Sequence, residues 1–306
     1  MQKGQHCDGK AYLQGRVSEM IHRFTHGAMA TQFAFYVEHD DARFARQLCE
    51  EAFRQIDRLE TELSRFNPSS DIAAIGRLKP GEALVLTLDA FECLKLAQFI
   101  AADTNGAFDA TVGPLLACWR SPLGEPRTPS AAELGAARAR TGWQLLMMDE
   151  VRHIVGVRAE GVQVDLGGIG KGYALDYAAG LFEEWGVTHA LLSAESTVLA
   201  LDPPEGSDGW RVNADKPVLL RQRALSGSGT AVKGAHILDP RTGYPVQERD
   251  QVWAFAPGAA WADALSTAFF VMSAAEIENY CRQHPEVSAI VCGRQKQYFN
   301  TGEQAS

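Results

Sequence analysis

The amino-acid sequence predicts an α+β fold, and three observations carry that prediction. Short β-rich runs outnumber helical ones and do not alternate with them in the regular order of a doubly wound sheet. One long stretch, residues 41–66, repeats apolar residues at helical spacing. The chain has 306 residues, 46% of them hydrophobic and 22% charged, which are ordinary globular values and supply a sizeable core. With no repeat, low-complexity tract or linker, that core is expected in one compact unit, either a single large domain or two intimate subdomains.

Residues 1–27 hold few apolar side chains and read as an irregular arm, which leaves 28–306 for the folded domain. Thr31 to Glu38 reads as the first strand. From Asp41 to Phe66, Phe44, Leu48, Ala52, Ile56, Leu59 and Leu63 recur three or four apart, the stripe of a long amphipathic helix. Asn67-Pro68-Ser69-Ser70-Asp71 breaks it. A short strand over Ala83 to Leu86 precedes a helix from Thr87 to Ala102, closed by the turn Thr104-Asn105-Gly106. Ser130-Ala131-Ala132-Glu133 and Ser273-Ala274-Ala275-Glu276 have capping-box spacing, so each opens a helix. Further β-rich runs fall at 145–157, 161–166, 188–201, 210–214 and 251–256.

Composition excludes several function classes. A net charge of −9 argues against sequence-independent nucleic-acid binding and against docking on an anionic membrane. No run approaches the length of a transmembrane helix. The polar stretch Met1 to Gly15 lacks the apolar centre of a signal peptide. Six cysteines are scattered without a C-x-x-C pair, unlike a disulfide framework or zinc site. A reducing compartment fits them, so the expectation is cytoplasmic, or periplasmic had a leader been removed.

Chemistry concentrates in a few polar words. In Val164-Asp165-Leu166-Gly167-Gly168-Ile169-Gly170-Lys171-Gly172-Tyr173-Ala174-Leu175-Asp176, an apolar run reading as a strand leads into four glycines within six residues and then a helix. Such a stretch is either a tight β–α connection or a place where backbone N–H groups at a helix N-terminus cradle phosphate. It matches neither a Walker A loop nor a dinucleotide fingerprint. Asp263 and Thr267 stand four apart, so on a helix both oxygens leave one face. They are then either a cap and a helix-interior hydroxyl, or ligands for a hard cation such as Mg²⁺. His236 leads into the rigid turn Asp239-Pro240-Arg241-Thr242-Gly243; it is either structural or a proton carrier near neutral pH. Thr104–Pro114 places Phe108 beside Asp109 after a helix, and Leu63–Asp71 ends a helix in a polar turn with one aromatic, Phe66.

Taken together and in order, these words resemble the ApbE family, the FAD:protein FMN transferases. The similarity spans residues 29 to 272 through Met29-Ala30-Thr31, Leu63–Asp71, Gly106–Val112, Val164–Asp176, His236–Pro245 and Ala262–Ala268. The resemblance implies an ApbE-like α+β fold with mixed or antiparallel sheets flanked by helices. It implies Mg²⁺-dependent cleavage of the FAD pyrophosphate, with FMN passed to a Thr or Ser hydroxyl of an acceptor protein and AMP released. By the same resemblance, Met29, Phe66, Ala107, Phe108 and Asp109 line the flavin and adenosine pocket, and Asp165 and Lys171 contact FAD. The Gly168 carbonyl joins Asp263 and Thr267 at the metal, Ile237 packs on the cofactor, and His236 is the base. One word departs: where the family usually carries Gly-Gly-Asp, this chain reads Glu195-Ser196-Thr197. That departure keeps two alternatives in view, a protein that binds FAD without transferring it and a pyrophosphatase giving FMN and AMP.

Overall fold

Strand β1 (Ile21–Ala28) and strand β2 (Thr31–Glu38) form a hairpin in which Ala28 pairs with Thr31. Met29 and Ala30 between them are both left-handed, at φ 52° and 55°, as a two-residue turn matched to strand twist requires. The computed structural model describes residues 20–121, 123–229, 237–247, 249–293 and 295–301. β1 corrects the irregular arm expected over 1–27 where the two overlap, because residues 21–27 lie in a paired strand. The strand escapes a hydrophobicity reading because two of its inward positions are histidines. His26 stacks on Phe53 at 4.9 Å and lies 2.6 Å from Asp57, both on helix α1 (Ala42–Leu63).

Asp41 caps α1 and Ser70 caps the short helix α2 (Asp71–Ile75). Strand β3 (Ala83–Val85) and helix α3 (Leu88–Asp103) follow as predicted. Helix α4 (Gly113–Cys118) was not foreseen, whereas α5 (Ala131–Arg138) carries the predicted capping box of Ser130 and Glu133. The run 145–157 divides into β4 (Leu146–Asp149) and β5 (Ile154–Val157), which with β3 make a three-stranded sheet ordered β3-β5-β4. The strand expected over 161–166 is instead an extended segment. Among the described residues its one bridge joins Gln163 in parallel to Val112, and Asp165 N–H donates to Ala110 O at 2.6 Å. Its neighbour is a turn rather than a strand, so no ladder propagates.

Helix α6 (Gly170–Glu184) leads to β6 (Ala190–Ala194) and β7 (Thr197–Ala200), then to a small hairpin of β8 (Trp210–Asn213) and β9 (Pro217–Leu220). β10 (Arg223–Gly229), β11 (Arg249–Ala256), helices α7 (Ala259–Val271) and α8 (Ala274–Gln283), β12 (Ser288–Gly293) and β13 (Gln297–Phe299) complete the described chain. The main sheet has eight strands ordered β1-β2-β6-β7-β10-β11-β12-β13, each antiparallel to its neighbour. Period-2 alternation divides its faces. Phe33, Phe35, Leu192, Val252 and Ala254 join the main core with α1, α3, α6 and α7. Tyr36, Leu191, Trp253 and Phe255 face the other way, under Trp210, Val212 and Leu220 of the β8–β9 hairpin. Among the described residues no helix is long and apolar enough to cross a membrane.

Candidate active site

The site begins where two helix N-termini cross. A Cβ on Gly172 would lie 2.2 Å from Ala259 O and 2.6 Å from Ala260 Cα, so only glycine lets α6 and α7 approach this closely. Each helix then supplies the carboxylate that the other's first turn lacks. Gly172 N–H donates to Asp263 Oδ2 at 3.2 Å. In return, Asp176 accepts from Ala259 N–H at 2.7 Å and Ala260 N–H at 2.8 Å, where the preceding Gly258 offers no side-chain cap. Burial pushes the Asp176 carboxyl up to about 6, although those two backbone donors oppose it.

Asp263 is only 4% exposed, and its charge is met from several sides. Lys171 Nζ lies 3.3 and 3.2 Å from its two oxygens and also donates to Gly167 O at 3.2 Å. Thr197 on β7 and Ser226 on β10 donate to Oδ1 at 3.1 and 3.3 Å. These two residues are directly paired across the ladder, their hydroxyls 2.9 Å apart. The hydroxyl chain continues through Ser266 to Ser228 and reaches Thr267, 3.5 Å from Ser228. A buried carboxylate is tolerable when satisfied in this way.

Thr267 follows Asp263 by one helical turn, as the spacing predicted. A Cβ on Gly168 would stand 3.3 Å from Thr267 Oγ1 and 3.3 Å from Phe108 Cε2, which brings the glycine loop, α7 and the Phe108 turn to one point. Gly168, Lys171, Asp263, Thr267 and Phe108 therefore share one locality. Asp165 closes the loop, accepting from Gly167 N–H at 2.7 Å, and pairs with Arg65 at 2.8 Å. The Arg65 guanidinium lies 4.4 Å from the Phe66 ring centre, and Phe66 is 79% exposed.

The remaining predicted residues are placed differently. Ala107 is buried, and so is Asp109, whose Oδ1 accepts from Thr111 N–H and Oγ1 at 2.8 and 2.7 Å. Its Oδ2 accepts from Trp143 N–H at 2.8 Å, so both oxygens are held by protein donors. Burial raises its pKa against those bonds. Met29 sits half-buried in the β1–β2 turn against the main core. Ile237 is buried, its carbonyl accepting from Val246 N–H at 3.0 Å, at the base of a turn braced by Arg241 pairing with Asp239 and Glu276. His236 lies outside the described residues.

Sequence reasoning missed Arg65, Thr197, Ser226, Ser228 and Ser266, and gave Asp176 no role. The unusual β6–β7 turn is accommodated: Glu195 adopts φ 49° and is exposed, and Ser196 O accepts from Gly227 N–H at 2.8 Å. The next residue, Thr197, points its hydroxyl at Asp263.

Among the described residues no three His, Cys, Asp or Glu side chains cluster as metal ligands. Were a cation held here, its donors would be the Asp263 carboxylate, the Thr267 hydroxyl and, by resemblance, the Gly168 carbonyl. All are oxygens, which fits Mg²⁺, an ion that usually keeps water and phosphate in its shell. A helix N-terminus and a lysine beside that set suit an anionic group.

The sequence model of the ApbE family matches residues 29–291. The FAD:protein FMN transferase of Klebsiella pneumoniae (strain 342) is 30% identical over 249 residues, covering 73% of this chain and 68% of that protein. The one from Salmonella typhimurium is 28% identical over 282 residues, 83% of this chain and 79% of the relative. Among solved structures, the flavinyl transferase ApbE of Pseudomonas stutzeri, in its apo form, superposes with a TM-score of 0.82 at 27% identity, covering 91% of this chain and 95% of that one. The apbe protein of Thermotoga maritima gives 0.78 at 28% identity, with 92% and 97% covered.

Proposed function

The chain belongs to the ApbE family, and from that premise we propose that it is a FAD:protein FMN transferase working at the α6–α7 junction. The observation that carries this reading is the meeting of the glycine loop, Lys171, Asp263 and Thr267 at one point. In the proposed reaction an acceptor Thr or Ser oxygen attacks the FMN-side phosphorus of FAD. The bond from that phosphorus to the bridging oxygen breaks, AMP departs with the bridging oxygen, and the hydroxyl proton passes to a base. By resemblance that base is His236.

Phosphoryl transfer asks the protein chiefly for positioning and charge neutralisation. Lys171 supplies a cation beside the loop, and the N–H groups of the α6 first turn supply fixed positive dipole. Phe66 offers an exposed aromatic face, backed by Arg65, on which a ring of the dinucleotide can stack. Gly168, Asp263 and Thr267 would hold Mg²⁺, which when bound neutralises charge on pyrophosphate oxygens.

The test is one assay of AMP release with and without an acceptor protein, read together with acid-stable flavin on the acceptor. Transfer predicts both products, strictly dependent on acceptor. AMP and FMN without acceptor would make water the nucleophile. FAD recovered intact after prolonged incubation with Mg²⁺ and acceptor would overturn turnover altogether, leaving a FAD-binding protein.

A further inference from the structure

Asp263 is the one carboxylate of the oxygen set, and a cation already holds it. Lys171 Nζ contacts both of its oxygens, at 3.2 and 3.3 Å, and a third contact to Gly167 O at 3.2 Å fixes the ammonium between helix α7 and the glycine loop. The pair is mostly withdrawn from water, with side-chain exposures of 21% for Lys171 and 5% for Asp263. In such surroundings like charges repel strongly. An ammonium touching both oxygens leaves a second cation no close approach to this carboxylate. The other donors to Asp263, namely Thr197, Ser226 and Gly172 N–H, are neutral and present no such conflict.

Resting on the reading of Gly168, Asp263 and Thr267 as a cation site, we propose that Lys171 is the resident counter-ion of Asp263, which a divalent cation must displace in order to bind. The long, flexible lysine stem allows the swap, and the displaced ammonium stays within the glycine loop at the positive end of α6. A pyrophosphate lying against that loop gives it a new partner. Dinucleotide therefore withdraws Lys171 from Asp263 and favours the metal, and by linkage the metal favours dinucleotide to the same degree. The chain is in this way biased against holding a divalent ion until its anionic substrate arrives.

The test uses the full chain stripped of metal, with Mn²⁺ alone as probe, titrated by calorimetry or by its electron paramagnetic resonance signal. Lys171→Gln is expected to bind Mn²⁺ roughly 10-fold tighter than the parent without nucleotide, because the competing charge is gone. Adding ADP should then tighten Mn²⁺ less in Lys171→Gln than in the parent, since no ammonium remains to be withdrawn. Mn²⁺ affinity equal to or below the parent's overturns the proposal, and equal ADP effects overturn the coupling. Asp263→Asn separates this from the underlying site. If that variant loses Mn²⁺ binding, the site reading stands whatever Lys171 does; if it binds Mn²⁺ as the parent does, site and proposal fall together. Should Lys171→Gln unfold without metal, the Lys171→Gln/Asp263→Asn double variant decides. Recovery of folding in the double variant identifies the unpaired carboxylate as the cause, and continued unfolding refutes the counter-ion role.

Discussion

Gly172→Ala should damage this protein, whereas Gly180→Ala, eight residues on in the same helix, should stabilise it. At Gly172 the new Cβ would meet Ala259 O at 2.2 Å, Ala259 C at 2.5 Å and Ala260 Cα at 2.6 Å. All three are backbone atoms of the α7 first turn, so no side chain can rotate away. Restoring an ordinary contact of ~3.4 Å moves the helices apart by about 1 Å, judged against close packing in protein interiors. That displacement breaks the 3.2 Å bond from Gly172 N–H to Asp263 and loosens the two bonds by which Asp176 caps α7. Overpacking of this kind costs about 1–3 kcal/mol, and loss of the buried bond to a charged group adds about 1.5–3 kcal/mol. Against this, alanine gains about 1 kcal/mol over glycine within a helix. The net loss is about 1.5–5 kcal/mol, or roughly 2–8 °C in Tm for a chain of this size. At Gly180 nothing lies within 4 Å of the added Cβ, so only the helix gain remains, about 0.5–1 kcal/mol. Urea unfolding followed by circular dichroism, with FMN transfer measured alongside, reads both. Parent-like stability and transfer in Gly172→Ala would refute the claim that this contact sets the site.

Three further outcomes are expected, two from the same geometry and one, at His236, from the family resemblance. Asp263→Asn should retain the parent's circular dichroism spectrum yet lose metal-dependent AMP release by at least ~100-fold, the scale of removing a charge-stabilising group from a reaction centre; parent-like Mg²⁺ dependence would move the metal elsewhere. His236→Ala should still bind FAD, by equilibrium dialysis, while transfer to acceptor falls ~10²–10⁴-fold; undiminished transfer removes it as the base. Asp176 is up near 6 in the folded chain against 3.8 for a free aspartate, so the native state binds more protons between those values. Its contribution to stability is therefore full below about pH 3.8 and is lost as pH rises through about 6, a change of about 3 kcal/mol. Asp176→Asn lacks this slope, so the parent's advantage over it should shrink from pH 4 to pH 7 in urea titrations; a constant difference would contradict the shift.

What the sequence displayed was local, and what it concealed was non-local. The apolar stripe of α1, the capping boxes of α5 and α8 and the glycines ahead of α6 are each written within a few consecutive residues. The structure has every one of them. β1 was hidden because His22 and His26 occupy inward positions that a hydrophobicity count leaves blank. β10 was hidden because Ser226-Gly227-Ser228-Gly229 has poor strand propensity, and it holds its place through β7 and β11 on either side. The site divides along the same line. Asp263 and Thr267 were legible as a spacing of four. Thr197 and Ser226, which hold the same carboxylate from 66 and 37 residues away, carry no local mark at all. One clue was nevertheless present in the text. Asp176 ends the glycine word and Asp263 stands near the start of its own helix, and each lies where the other helix has unsatisfied N–H groups. Two helices that each need a carboxylate at the N-terminus, with a glycine at the crossing, solve both needs by exchanging them. The exchange also explains why the Asp263 carboxylate is so rigidly held: its bonds from Lys171 and Gly172 N–H fasten α6 to α7 while Thr197 and Ser226 tie it to the sheet, so the junction cannot loosen without the core around it loosening too.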